Sequence, residues 1–234
     1  MTCQTAMIIR IALSLAISLS ALDSLWAESG GEKVASGTPQ FFDDGAFRMH
    51  ETANGRVLQA KGRLVNAGDL AKQLERQSVS LTLPKAASLA SPLSLRDVYR
   101  KCSESIFSIA EVRDCEGCGK VHVTPLATGF AITADGVLLT NRHVIEDLDS
   151  SSRLVASTAD GKTYPVVEVL ASSKKDDAAA IRIDGSGFKP LRLSVDNFVG
   201  TRVSLISHPR GNLYSLSEGI VTRLSTVYST RLMF

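Results

Sequence analysis

The chain has 234 residues, of which 44% are hydrophobic and 21% are charged, and its formal net charge is +2. This length allows one or two domains, and the ordinary apolar fraction excludes a wholly disordered chain. The small net charge provides no basic face that favours nucleic acid, and four cysteines are too few for a disulfide scaffold.

The amino terminus has the pattern of a secretory signal peptide. Arg10 precedes an apolar run at residues 11–22, and small or polar residues follow as far as Ala27. The run is too short to cross a bilayer core of about 30 Å, and the alternative is a buried core helix. We expect residues 1–27 to be removed after Ala27. We therefore expect a periplasmic or secreted protein whose mature chain has no membrane-spanning segment.

Residues 28–95 are weakly patterned. The sequence predicts a short helix at residues 69–77, a strand at residues 79–83 and an Ala/Ser-rich linker at residues 84–92. No residue pattern in this region indicates chemistry. A small folded appendage and a flexible spacer both remain open.

Residues 96–234 favour short strands separated by turns, and no long helical periodicity competes with them. This pattern predicts an all-β sandwich or barrel. The predicted strands lie at residues 105–112, 121–133, 136–140, 153–157, 163–171, 178–183, 202–207 and 219–225.

Two segments of this region carry candidate chemistry. Residues 127–146 read ATGFAITADGVLLTNRHVIE, and the second strand of this predicted hairpin ends just before His143. Residues 174–183 read KKDDAAAIRI, so an acidic pair leads into an apolar strand. A carboxylate in that place is costly unless it has a partner, and a histidine N–H is one such partner.

Together these segments resemble the trypsin-like serine proteases, most closely the bacterial HtrA-type branch. The similarity covers about residues 96–225 and includes the stretch PLRLSVDNFVGTRVSLISHPRGNLYSLSEGIVTRLS. It implies a serine-type endopeptidase with a trypsin-like double β-barrel, of which we expect the first barrel to be complete and the second truncated. It also implies that His143 is the general base and that Asp177 orients it, with Asp176 as the alternative.

The same resemblance implies a Gly-x-Ser-Gly-Gly turn that supplies the nucleophile and the oxyanion donors. After residue 224 the chain reads STVYSTRLMF, so we nominate no nucleophile. Residues 184–187 (DGSG) have Phe188 in place of the last glycine and are interpreted as a turn. We expect a truncated or frameshifted product that is inactive; the alternative is a non-catalytic binding module or pseudoprotease that retains the first barrel.

Three cysteines follow the predicted signal peptide. Cys115 and Cys118 form a Cys-x-x-Cys-Gly turn that resembles a zinc knuckle, and Cys102 and His122 could complete a set of four zinc ligands. We favour instead a disulfide, either local or linked to Cys102, which leaves one free thiol. His208 is interpreted as structural.

The expected chemistry requires no cofactor. The resemblance implies that the partners are polypeptide substrates or unfolded protein, and no feature favours nucleic acid. No motif indicates the oligomeric state or the cleavage specificity.

Overall fold

The computed structural model describes residues 7–8, 17–18, 42–85, 93–194, 198–227 and 230–233. The predicted cleavage site after Ala27, most of the predicted signal peptide and most of the predicted linker lie outside these residues. Within the described ranges, no helix is both long and apolar enough to cross a bilayer.

Strands predominate after residue 105, and helices precede them. Short 3-10 turns lie at Gln73–Glu75, Ser103–Ser105 and Pro209–Gly211. In chain order the strands and α-helices are β1 (Met7–Ile8), β2 (Ile17–Ser18), α1 (Asp44–Ala60), α2 (Ala67–Lys72), β3 (Ser80–Leu81), α3 (Leu95–Cys102), β4 (Ile106–Cys115), β5 (Lys120–Ala131), β6 (Val137–Thr140), α4 (His143–Glu146), β7 (Arg153–Ser157), β8 (Thr163–Ser173), β9 (Ala178–Ile183), β10 (Arg202–Ser207), β11 (Ser215–Ile220), β12 (Leu224–Val227) and β13 (Thr230–Met233).

Six of these strands close into an antiparallel barrel in the order β4-β5-β6-β9-β8-β7. The pairing of β4 with β7 completes the ring, so none of the six has a free edge. The prediction of an all-β fold with a complete trypsin-like first barrel is confirmed. The observed bounds of β7 and β9 equal the predicted ones.

The barrel interior is filled by large apolar side chains, among which Phe107, Leu138 and Ile181 are fully buried. All four residues of β6 are buried, because β5 and β9 flank this strand and other elements cover both of its faces. By contrast, the first part of β5 alternates between exposed and half-buried residues. The β4–β5 hairpin therefore projects beyond the barrel core.

Two hairpins follow the barrel: β10 with β11, and β12 with β13. The prediction of one strand at residues 219–225 is wrong, because the chain leaves the ladder after Ile220. Val221 instead donates its N–H to the Thr201 carbonyl and accepts from the Gly200 N–H. That these hairpins open a second, truncated barrel stays a prediction.

The segment that precedes the barrel is folded within residues 42–85. The predicted helix at 69–77 is observed as α2 and the 3-10 turn at Gln73–Glu75, and the predicted strand is reduced to β3. Leu70 and Leu74 belong to the same buried cluster as Phe107. This segment therefore contributes to the barrel core.

Helix α1 was not predicted, and it also packs on the barrel. Asp43 caps it by accepting a hydrogen bond from the Ala46 N–H at 2.8 Å. At Gly55 the helix approaches the sheet so closely that a Cβ would lie 2.9 Å from a Val123 methyl group. A larger residue at this position would push the helix away from the β4–β5 hairpin.

A carboxylate of α1 is buried against the barrel. Glu51 is 1% exposed, and its Oε1 has no hydrogen-bond partner among the described residues. Burial raises the pKa of Glu51, and the nearby Ser108 and Ser157 hydroxyls and Arg48 oppose this only in part.

The free energy of unfolding of the parent should fall as the pH rises, and replacing Glu51 by Gln should abolish this part of the pH dependence. A carboxyl whose folded-state pKa is raised stabilises the fold below its unfolded-state pKa, and this contribution disappears as the pH rises through the folded-state pKa. Urea unfolding from about pH 5 to about pH 8 should show the parent losing stability relative to Glu51→Gln. The exposed control Glu75→Gln should follow the parent, and parallel curves for the parent and Glu51→Gln would refute the account.

Candidate active site

His143 lies three residues beyond β6, at the first position of the short helix α4. The hairpin that delivers it turns at Gly136, where φ is +94° and a Cβ would lie 2.8 Å from the carbonyl oxygens of Ile183 and Gly185. Only glycine fits this turn. The tight turn and the buried strand β6 fix the direction in which the chain leaves towards His143.

Asp177 directly precedes β9, the antiparallel partner of β6, in which Ala179 pairs with Thr140. The end of β6 and the start of β9 therefore lie at the same edge of the barrel. Asp177 has a φ of +47°, in the left-handed region that Asp tolerates better than most residues. In this conformation the Asp177 carboxylate contacts His143.

Asp177 accepts two hydrogen bonds from His143, one at each carboxylate oxygen. The backbone N–H of His143 lies 2.9 Å from Oδ1, and its Nδ1 lies 2.6 Å from Oδ2. Because an ionised carboxylate can only accept, the proton of the neutral imidazole is held on Nδ1. The other ring nitrogen, Nε2, has no hydrogen-bond partner among the described residues.

The Asp177 carboxylate is kept ionised by its neighbours. Partial burial raises the pKa of Asp177, but the hydrogen bonds from His143 and Asn141 outweigh this and hold the pKa below its ordinary value of 3.8. Asn141 donates from Nδ2 to the Asp177 carbonyl oxygen at 3.1 Å and to Oδ2 at 3.2 Å. Asn141 was not among the predicted site residues, although it is a polar residue at the end of a buried strand.

The alternative carboxylate, Asp176, lies against Ser173. Its Oδ2 accepts a hydrogen bond from the Ser173 hydroxyl at 2.6 Å, and its backbone N–H donates to the same hydroxyl at 3.2 Å. These bonds close the turn before β9. The contact with His143 is made by Asp177.

A cleft of about 420 Å³ opens beside the imidazole. The His143 side chain is 56% exposed there. The cleft combines charged and apolar side chains from β4, β5, α4 and the turn that follows α4: Glu111, Arg113, Leu126, His143, Val144, Asp147, Leu148 and Asp149. A group bound in this cleft lies beside the His143 side chain.

The buried Arg142 side chain holds the start of α4 in place through hydrogen bonds. It was not among the predicted site residues. Arg142 is 8% exposed. Its Nη1 donates to the Leu74 carbonyl at 2.7 Å and to the Ser172 hydroxyl at 2.5 Å. Its Nε donates to the Glu146 carboxylate at 3.1 Å. Arg142 thus ties α4 to β8 and to the segment before the barrel. A charged residue two positions after a buried strand was the available signal, because a buried charge needs partners.

Ser186 of the DGSG segment lies at the end of β9 opposite to Asp177. The six residues of β9 span roughly 20 Å at about 3.3 Å per residue. The segment packs on the β5–β6 turn, where the Gly187 N–H donates to the Ala134 carbonyl at 2.8 Å. Ser186 is therefore out of reach of His143.

His208 lies apart from the His143–Asp177 pair. Its Nδ1 is 3.1 Å from the Thr128 hydroxyl, and its ring meets the Tyr214 ring edge-on with centroids 4.7 Å apart. Burial lowers the pKa of His208 to about 4, so this imidazole is neutral near pH 7.

The cysteines do not adopt the predicted disulfide. Cys102, Cys115 and Cys118 are free thiols in the structure. Cys102 ends α3, whereas Cys115 lies at the far end of β4, roughly 30 Å away at about 3.3 Å per strand residue. Cys115, Cys118 and His122 lie together without Cys102. The set of four ligands that included Cys102 is therefore not assembled.

Comparisons with known proteins show a similarity that includes this arrangement. The family model of the trypsin-like peptidase domain matches residues 127–233, which include both His143 and Asp177. A probable periplasmic serine endoprotease, DegP-like, from Pseudomonas fluorescens is 29% identical over 171 residues, which are 72% of this chain and 33% of that relative. This chain is therefore similar to the trypsin-like peptidases, including the DegP-like endoproteases.

Two other relatives have a similar degree of identity. A DegP-like protein of the same description from Halomonas elongata is 32% identical over 102 residues, covering 43% of this chain and 21% of the relative. Serine protease HTRA1 from Xenopus tropicalis is 33% identical over 131 residues, covering 55% and 28%. The chain spans about a third or less of the length of these relatives.

Replacing Arg142 by Met should destabilise the fold by about 2–4 kcal/mol, because it removes the hydrogen bonds that the buried guanidinium donates to the Leu74 carbonyl and the Ser172 hydroxyl. The control Arg202→Met removes a guanidinium that is 75% exposed and pairs with Glu218. Exposed pairs are worth about 0–1 kcal/mol. Urea unfolding of both variants measures the difference, and equal costs would show that Arg142 is no anchor.

Proposed function

We propose that the chain is an exported, serine-type endopeptidase component in which His143 is the general base and Asp177 orients it. The observation that carries this proposal is the pair of hydrogen bonds from His143 to Asp177, with Nε2 left free beside a cleft. One nitrogen is fixed and the other is available, which is the requirement for a histidine that moves a proton.

The geometry supports a specific order of proton movements. When a hydroxyl oxygen attacks a peptide carbonyl carbon, its proton passes to Nε2 of His143, and the imidazole becomes an imidazolium. The ionised Asp177 stabilises that cation through the Nδ1–H hydrogen bond. The Nε2–H then protonates the leaving amine, which breaks the C–N bond and restores the neutral imidazole.

No residue of the chain is assigned as the source of the attacking hydroxyl. Residues 1–234 contain no Gly-x-Ser-Gly-Gly sequence, and Ser186 is too distant. We therefore propose that a polypeptide of residues 1–234 does not hydrolyse peptides by itself. The second candidate function is a non-catalytic binding module built on this barrel.

We also propose a periplasmic location and polypeptide substrates. The signal-peptide pattern of residues 1–27 and the periplasmic endoproteases among the relatives support this location. The mass of the protein recovered from the periplasm should correspond to a chain that begins at Glu28. A mature chain that retains residues 1–27 would contradict export by this signal.

The test of function supplies the missing nucleophile. The chain of residues 1–234 should show no labelling by a fluorophosphonate probe and no hydrolysis of casein. A chimera in which the nucleophile segment of the Pseudomonas fluorescens relative follows this chain should show both. In that chimera His143→Ala and Asp177→Asn should each lower kcat/KM by at least about a thousandfold, whereas Asp176→Asn should leave it unchanged.

The outcomes distinguish the candidates. An active chimera that tolerates His143→Ala would refute the role of His143. A folded chimera without activity would favour the binding module. Labelling of residues 1–234 that disappears on His143→Ala would refute the proposed inactivity of that polypeptide.

A further inference from the structure

The tip of the β4–β5 hairpin has a shape that presents two thiols from one turn. Cys115 pairs with Lys120 at the last rung of the ladder. The Gly119 N–H donates to the Cys115 carbonyl at 2.8 Å and closes the turn. Gly119 has a φ of +63°, so the position after the second cysteine needs a residue that tolerates the left-handed region.

A third ligand comes from the adjoining strand. His122 lies near the start of β5, and its Nε2 is 3.0 Å from the Cys118 sulfur. The ligand atoms of Cys115, Cys118 and His122 all lie within 4.8 Å of one another. Tetrahedral zinc with bonds of about 2.3 Å to sulfur and about 2.0 Å to nitrogen requires separations of about 3.5–3.8 Å, so movements below about 1 Å suffice.

The strands beneath the turn are held in place, so the ligands do not need to be gathered from a loose loop. The Gln59 amide donates to the Asp114 carboxylate at 3.0 Å, and the Arg56 Nε donates to the Val121 carbonyl at 3.0 Å. Both donors lie on α1. Because Arg153 also binds the Asp114 carboxylate, this group is already engaged beside the three ligands.

We propose that Cys115, Cys118 and His122 bind one Zn²⁺, with water at the fourth position. Two thiolates and an imidazole suit zinc, whereas Ca²⁺ and Mg²⁺ prefer oxygen ligands. Cys118 and His122 are exposed, so the ion can enter directly and the fourth position faces solvent. A disulfide between the two cysteines would leave His122 without a role.

The bound ion would clamp the hairpin that forms one wall of the cleft. Glu111 and Arg113 on β4 and Leu126 on β5 line the cleft beside His143, and Arg113 pairs with His122 itself. A metal that joins the turn to β5 restricts the opening of these two strands. This inference does not depend on catalysis by the chain.

The test titrates Zn²⁺ into the full chain after chelation of metal and reduction with a phosphine. We expect one equivalent to bind, and Co²⁺ in its place to give thiolate-to-cobalt charge-transfer absorption. Cys118→Ser and His122→Gln should each weaken binding by at least about tenfold, because each removes one of three ligands. The matched controls Cys102→Ser and His50→Gln should bind as the parent does.

A second readout uses protein isolated from the periplasm without reductant. It should contain close to one zinc per chain, and its amides at the hairpin tip should exchange more slowly than those of the chelated protein. Binding that survives His122→Gln unchanged would overturn the proposal. So would a Cys115–Cys118 disulfide in place of the metal.

Discussion

The pairing of β6 with β9 is the constraint on which the candidate site depends. Its register sets Leu138 against Ile181 inside the barrel and Thr140 against Ala179 at the edge. A slip by one residue would exchange Leu138, which packs in the barrel cluster, for Val137 or Leu139, which pack in a second buried cluster, so packing on both faces fixes the register. With the register fixed, His143 and Asp177 leave adjacent strand ends and meet, although 34 residues separate them in the sequence.

Neighbouring side chains fix the orientation of the His143–Asp177 pair. Asn141 holds Asp177 from one side, and Arg142 fastens the start of α4 to the Leu74 carbonyl in the segment before the barrel. That segment also contributes Leu70 to the core. The helices that precede the barrel are therefore part of the structure that positions His143.

The sequence pattern alone predicts the bounds of some strands. The runs at β7 and β9 are short, apolar and bounded by turns, so their bounds could be predicted. Helix α1 could not be predicted because only four of its 17 residues are large and apolar, and its close contact at Gly55 is with a strand far along the chain. Tertiary packing outweighs local propensity there.

The residue types of the site could be predicted from the sequence, but their hydrogen-bond partners could not. Asp176 and Asp177 are adjacent and identical in type, and only the left-handed backbone at Asp177 and the Ser173 turn separate their roles. The anchoring of Arg142 depends on a carbonyl 68 residues away. Cys115, Cys118 and His122 could be predicted from the sequence as possible ligands, but the separation of Cys102 from them depends on the length of β4.

The central claim is that Asp177 fixes the proton of the neutral His143 imidazole on Nδ1. Nitrogen-15 NMR of the imidazoles at alkaline pH, with the His143 signals identified by their loss in His143→Gln, tests it most directly. We predict that the Nδ1–H form dominates in the parent and in Asp176→Ala. Asp177→Ala should shift the ratio of the two forms by about tenfold, because a charge-assisted hydrogen bond between half-exposed groups is worth about 1.5 kcal/mol. An unchanged ratio in Asp177→Ala would contradict the account.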